Sequence, residues 1–202
     1  MAALESEVPV CRRWILRGLR EGSERQWGRE GLTRIGARLP DDVRKRTIDS
    51  LVLTEPWFPE TDVLAWYAAI LDGPAEGDEK QLLAVVRYMI DTGFGVIQRF
   101  LLGMIVSPKE TRFVGRIPAT WHQDHSTGRI EIARVGDDFF EFVLHDHIYA
   151  ESGVAVRCIT ECFRHGTSLT KIPHRRAVTA THERIGPRSL RMTVRWGPGA
   201  AR

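Results

Sequence analysis

The chain has 202 residues, 43% hydrophobic and 27% charged, with 18 Gly, 10 Pro, 3 Cys and a net charge of +3. That length and balance suit one globular domain and exclude disordered, collagen-like and disulfide-scaffolded classes. Three cysteines fit a reducing compartment. The opening Met1-Ala2-Ala3-Leu4-Glu5-Ser6-Glu7 lacks a leader signature, so a cytoplasmic location is expected.

Through about Arg38, Trp14, Ile15, Leu16, Leu19 and Trp27 lie among arginines and glycines, a pattern open to helix or strand. Residues 1–38 read as an extension packing on a single α+β domain, 39–202, with a helical half at 39–118 and a ββαββ half at 128–197. Leu39-Pro40-Asp41-Asp42 opens a helix, since proline suits a first turn and acids there complement the helix dipole. Its apolar stripe is Val43, Ile48, Leu51 and Val52. Glu55-Pro56-Trp57-Phe58-Pro59 breaks it. Thr61-Asp62 then caps a helix from Val63 to about Leu71, and the run Gly73 to Asp78 is a loop.

Leu82, Leu83, Val86, Met89 and Ile90 follow helical spacing from Glu79 onward. Gly93 and Gly95 divide this stretch; Ile97, Phe100, Leu101 and Met104 resume it before Ser107-Pro108. Arg87, Asp91, Gln98 and Arg99 interrupt it too often for a lipid-facing span of about 20 residues. A short helix is expected from Lys109 to Ile117.

The period then changes to two. Residues 128–135 alternate polar with apolar, Gly136-Asp137-Asp138 turns, and Phe139 to Leu144 returns as a hairpin. Ser152 to His165 reads as a helix closed by Gly166. Ala177 to Ile185 and Leu190 to Trp196 make a second hairpin. In its last strand Leu190, Met192, Val194 and Trp196 face one way, and Arg191, Thr193 and Arg195 the other. Helices packed on a twisted antiparallel sheet are the expected architecture.

Several residue groups carry possible chemistry. Cys158, Cys162 and His165 share one helix face at i, i+4 and i+7, a set that suits zinc or iron but equally simple packing of the helix on the sheet. His122 and His125, within Trp121-His122-Gln123-Asp124-His125, read as a polar loop, as do His145 and His147 at a strand end. If adjacent, the four histidines would form a metal site and support a metal-dependent enzyme. No nucleophile elbow or phosphate-binding glycine loop is present, so catalysis finds no motif.

Trp57, Phe58, Trp66, Tyr67, Phe94, Phe100 and Trp121 could line an apolar ligand pocket or fill an ordinary core. Residues 157–202 hold ten Lys/Arg against two acids, whereas 50–156 hold eight against sixteen. Arg175, Arg176, Arg184, Arg188, Arg191 and Arg195 therefore suit nucleic acid or a membrane surface, or a solvated sheet face.

The run Leu51 to Pro59, the Gly77-Asp78 loop, the glycine-containing helix, Ser107-Pro108, Trp121, Thr127-Gly128-Arg129 and the closing Val194-Arg195-Trp196 together resemble the DUF2378 family expanded in myxobacteria. The resemblance spans about residues 30 to 197. That family is similar in layout to 4-vinyl reductase domains, haem-NO-binding domains and the small subunits of the TRAPP tethering complex. The resemblance implies helices on a twisted antiparallel sheet, and a domain that binds a small apolar ligand or dimerises as an assembly subunit. Haem-NO-binding domains need a proximal histidine and Tyr-x-Ser-x-Arg; the motif is absent here, so haem is not expected. Some 4-vinyl reductase domains hold a metal through cysteines and an acid, types that Cys158, Glu161 and Cys162 offer. The reading is a non-enzymatic sensor or adaptor binding a small apolar ligand or a protein partner, with a homodimer as its expected assembly.

Overall fold

In the computed structural model, residues 8–50, 53–93, 117–171 and 177–197 are described. Strand β1 (Val10–Arg12) pairs antiparallel with β2 (Trp57–Pro59), Cys11 lying opposite Phe58. The prolines of 55–59 do not prevent a short ribbon, because Pro59 sits at its last rung, and the preceding helical segment has already ended at Asp49, seven residues before Pro56. Helix α1 (Arg13–Gly36) bends at Gly28, whose φ of 66° is left-handed. Ile15, Leu16, Leu19 and Ile35 of α1 are buried in a cluster that continues through the helices to Met192 and Trp196 of the sheet. The stretch read from sequence as an extension thus supplies part of the common core.

Helix α2 (Asp41–Arg44) runs into a π-helical turn (Lys45–Asp49). Helix α3 (Glu60–Asp72) begins at Glu60, immediately after Pro59, rather than at Val63. Asp62 does not cap it; instead its carboxylate accepts two hydrogen bonds from Arg46 Nη2, at 3.0 and 3.2 Å. Helix α4 (Glu79–Gly93) packs along α1. A Cβ on Gly18 would lie 2.7 Å from Met89 Cγ and 2.9 Å from Met89 Cα, so the two backbones meet where only glycine fits. The expected resumption at Ile97 to Met104 and nearly all of the short helix at 109–117 lie outside the described residues.

Helix α5 (Ile117–Asp124) takes the place of the polar loop expected around Trp121. Buried Trp121 anchors it, its indole N–H donating to the Thr127 carbonyl at 3.0 Å. Strands β3 (Arg129–Val135), β4 (Phe139–His145), β5 (Val178–Gly186) and β6 (Ser189–Trp196) form an antiparallel sheet in the order β3-β4-β6-β5. The alternation in β6 appears as read: Leu190, Met192, Val194 and Trp196 are buried while Arg195 is exposed. Helix α6 (Gly153–Ser168) packs on β5, β6 and α4, with Ser152 Oγ accepting from the Ala155 N–H. Gly166 lies inside α6 rather than ending it. Thr167 and Ser168 return their hydroxyls to the Phe163 and His165 carbonyls and carry the helix past it. The chain is an α+β protein with antiparallel sheets, and none of its described helices is long and apolar enough to cross a membrane.

Candidate functional site

Where the helices meet the sheet, three polar side chains from distant parts of the sequence converge in the interior. Strand β1 organises two of them. Its pairing with β2 delivers the first residue of α3, Glu60, whose N–H bonds to the Pro9 carbonyl. On the other side Cys11 forms a bridge to His125, and the Val10 carbonyl accepts from the Ser126 N–H. The third, His147, follows β4 and donates its backbone N–H to the Arg188 carbonyl. Gly128, at φ +70°, lies against the His147 ring; a Cβ there would sit 2.7 Å from His147 Cδ2.

Glu60 Oε1 lies 2.9 Å from His125 Nδ1, and Glu60 Oε2 lies 2.7 Å from His147 Nε2. Both Glu60 and His147 are completely shielded from solvent and His125 is 7% exposed. The second contact is short but poorly aligned: neither Glu60 Oε2 nor His147 Nε2 has a well-directed hydrogen bond. The Tyr149 N–H donates to His147 Nδ1 at 3.2 Å, which leaves the ring proton of neutral His147 on Nε2. The Trp121 indole stacks on His125, with centroids 3.9 Å apart and planes 15° apart.

Burial pushes the Glu60 carboxyl up, but the hydrogen bond from His125 and the close polar contact of His147 outweigh it and hold the group below its ordinary value. Burial dominates at His147 and lowers its pKa despite Glu60. The resting pair is therefore a carboxylate beside a neutral imidazole. Beside it, Tyr149 packs edge-on against His147, with centroids 4.5 Å apart, and against Tyr67 at 6.5 Å. Both phenols are raised by burial, and the Tyr149 hydroxyl has no hydrogen-bond partner among the described residues. Burial also pushes the Cys162 thiol up to about 12 and the Cys158 thiol higher, so both rest protonated.

Of the four histidines in the expected metal site, only His125 and His147 come together. His122 is exposed on α5, and His145 Nε2 pairs with Glu131 at 3.1 Å. The cysteine face does not close into a ligand set: His165 Nε2 turns to Asp91 at 2.8 Å, while Cys158 and Cys162 pack in the apolar cluster. Glu60 was missed because the capping reading stopped at Thr61-Asp62. An acid directly after Pro59, at a first helical position, was the available signal; nothing local joins it to His125 or His147.

Among the aromatic candidates, Phe58, Trp66, Tyr67 and Trp121 are buried in the common core, and the Trp66 indole donates to Thr47 Oγ1 at 2.9 Å. Trp57 is half-buried beneath the Arg12 guanidinium, 4.1 Å from its ring, and Phe94 and Phe100 lie outside the described residues. In the basic set, Arg188 pairs with Glu151 at 2.9 Å and Arg191 with Glu183 at 3.2 Å. Arg195 lies over the Phe139 ring and Arg184 is exposed. Arg175 and Arg176 lie outside the described residues.

No family model and no curated protein matches the chain. Solved structures do, and they are H-NOX domains; of the 4-vinyl reductase, haem-NO-binding and TRAPP domains to which the layout was likened, the first and last gain no support from them. The Fe(II) unliganded H-NOX protein from K. algicida aligns over 93% of this chain and 97% of its own, at 11% identity and a TM-score of 0.59. An oxygen-binding H-NOX domain related to soluble guanylate cyclases, in its oxygen complex, aligns over 94% of both chains, at 11% identity and a TM-score of 0.53. A structure bearing on haem redox potential and porphyrin distortion aligns over 90% of this chain and 93% of its own, at 11% identity and 0.54. At such identities the likeness shows the fold. It also overturns the expectation that haem is unlikely, because these neighbours are an Fe(II) protein, an oxygen complex and a structure concerned with haem distortion.

Proposed function

We propose that this chain is a sensor domain for a small ligand, with haem as its candidate cofactor. The observation that carries the reading is likeness to H-NOX domains along nearly the full length of both chains. The interior offers donor chemistry that suits haem iron, which accepts imidazole, thiolate or phenolate ligands. The fit rests on the Tyr149 hydroxyl, a buried polar atom without a partner, next to Tyr67 and near Cys162. Tyr149, with Tyr67 beside it, is the residue that would hold the group, since His125 and His147 are turned onto Glu60 and the Cys158 and Cys162 thiols are protonated and packed in the core. When bound, haem supplies an iron centre that takes a diatomic ligand. The chain's part is to exclude water, through the apolar cluster, and to couple the helices to the sheet through Glu60, His125 and His147. Kinship with the DUF2378 proteins belongs to the same proposal.

Titration of the purified full chain with hemin tests it. One equivalent should bind with a sharp Soret band that shifts, after reduction, on addition of NO or CO. Weak, non-saturating absorbance without a ligand shift would count against the haem reading.

A further inference from the structure

We propose that Glu60, His125 and His147 form a site for a divalent transition metal, zinc or iron(II), distinct from any haem. Two imidazoles and one carboxylate are a donor set that such ions take, with positions left open for water or a further ligand. One donor atom from each residue lies within 4.8 Å of the others. Donors sharing a tetrahedral zinc at about 2.0–2.2 Å lie about 3.3–3.5 Å from one another, so the 2.7 and 2.9 Å contacts to Glu60 must open slightly while any wider gap in the set closes.

Three observations favour an ion over a purely structural cluster. Glu60 Oε2 and His147 Nε2 face each other at 2.7 Å without an aligned hydrogen bond, and buried polar atoms left so call for another partner. The neighbouring Tyr149 hydroxyl lacks a partner as well. Negative charge also collects here: Glu60, Asp62 and Asp124 all bear on Cys11. Asp62 is met by Arg46 and Asp124 accepts the Trp14 indole N–H, whereas no Lys or Arg among the described residues meets Glu60. A divalent cation supplies the missing charge. Ligation at His147 Nε2 displaces the proton held there, as metal binding to imidazole commonly requires. Trp121 stacked on His125 and the close approach of Gly128 to His147 fix the two rings before any ion arrives.

The test uses the full-length wild-type chain, stripped of metal with chelator and free of Soret absorbance. It is titrated with Co(II), followed by the visible d–d bands, and then challenged with Zn(II). One equivalent of Co(II) should bind, and Zn(II) should erase its bands. His125→Gln, at the rim of the cluster, should stay folded by circular dichroism and weaken Co(II) binding by more than about 100-fold. No stoichiometric uptake by the folded wild type would overturn the proposal, as would unchanged binding in folded His125→Gln. The haem reading is scored separately by the Soret band, so either proposal can fail while the other stands.

Discussion

Glu60 is a carboxylate that solvent does not reach, held by two imidazoles at 2.9 and 2.7 Å. Glu60→Gln keeps the shape but sets an amide N–H₂ against a ring that already presents a proton. It should cost about 2–4 kcal/mol, measured by urea denaturation at neutral pH. Acidity acts on the same cluster. The folded pKa of His147 lies below its ordinary 6.5, so its contribution is complete above that value and is lost as pH falls through the depressed one. The folded pKa of Glu60 lies below its ordinary 4.5, and its contribution fades the same way at lower pH. Thermal midpoints should therefore fall on acidification from about pH 6.5, first through His147 and then through Glu60, and His147→Gln should flatten the first part. A midpoint that rises on acidification would contradict this account. His125 and His147 were both legible in the sequence as candidate ligands. Their shared partner was not, because the contact joins residues 65 and 87 positions away and no local periodicity encodes such a distance.

Helix α1 meets α4 at Gly18. An exposed helical glycine replaced by alanine gains about 1 kcal/mol from propensity alone. Here the new Cβ would strike the Met89 backbone at 2.9 Å, so Gly18→Ala should destabilise by about 1–3 kcal/mol. The sign of the change, read from denaturation midpoints, separates the two expectations. The same scale explains which elements could be read from sequence. Strand β6 was the most legible because it alternates over eight residues with one buried face, whereas β3 buries only Ile130 and β5 buries no residue, so those two rested on polar–apolar alternation and turn residues alone. Strands β1 and β2 have three residues each, too few for a period, and their pairing spans more than forty positions. Helix α5 was read as a loop because His122, Gln123 and Asp124 are polar. The burial of Trp121 and the cover of β1 that make it helical are tertiary facts.

Across the whole molecule, one core joins the helical layer to the sheet, and the Glu60, His125 and His147 cluster sits at their junction. The charge asymmetry seen in sequence does not become a bare basic face. Arg188 and Arg191 are matched by Glu151, Glu183 and Glu141, so the C-terminal hairpin presents less free charge than its composition suggests. The fold shared with H-NOX domains turns the question of function toward what the interior holds. Native mass spectrometry of the full chain, purified from cells supplied with a haem precursor, addresses this most directly, since mass separates a porphyrin from a bare metal ion. A folded chain carrying one haem is the result expected; a folded chain that never retains haem would contradict the haem-sensor reading.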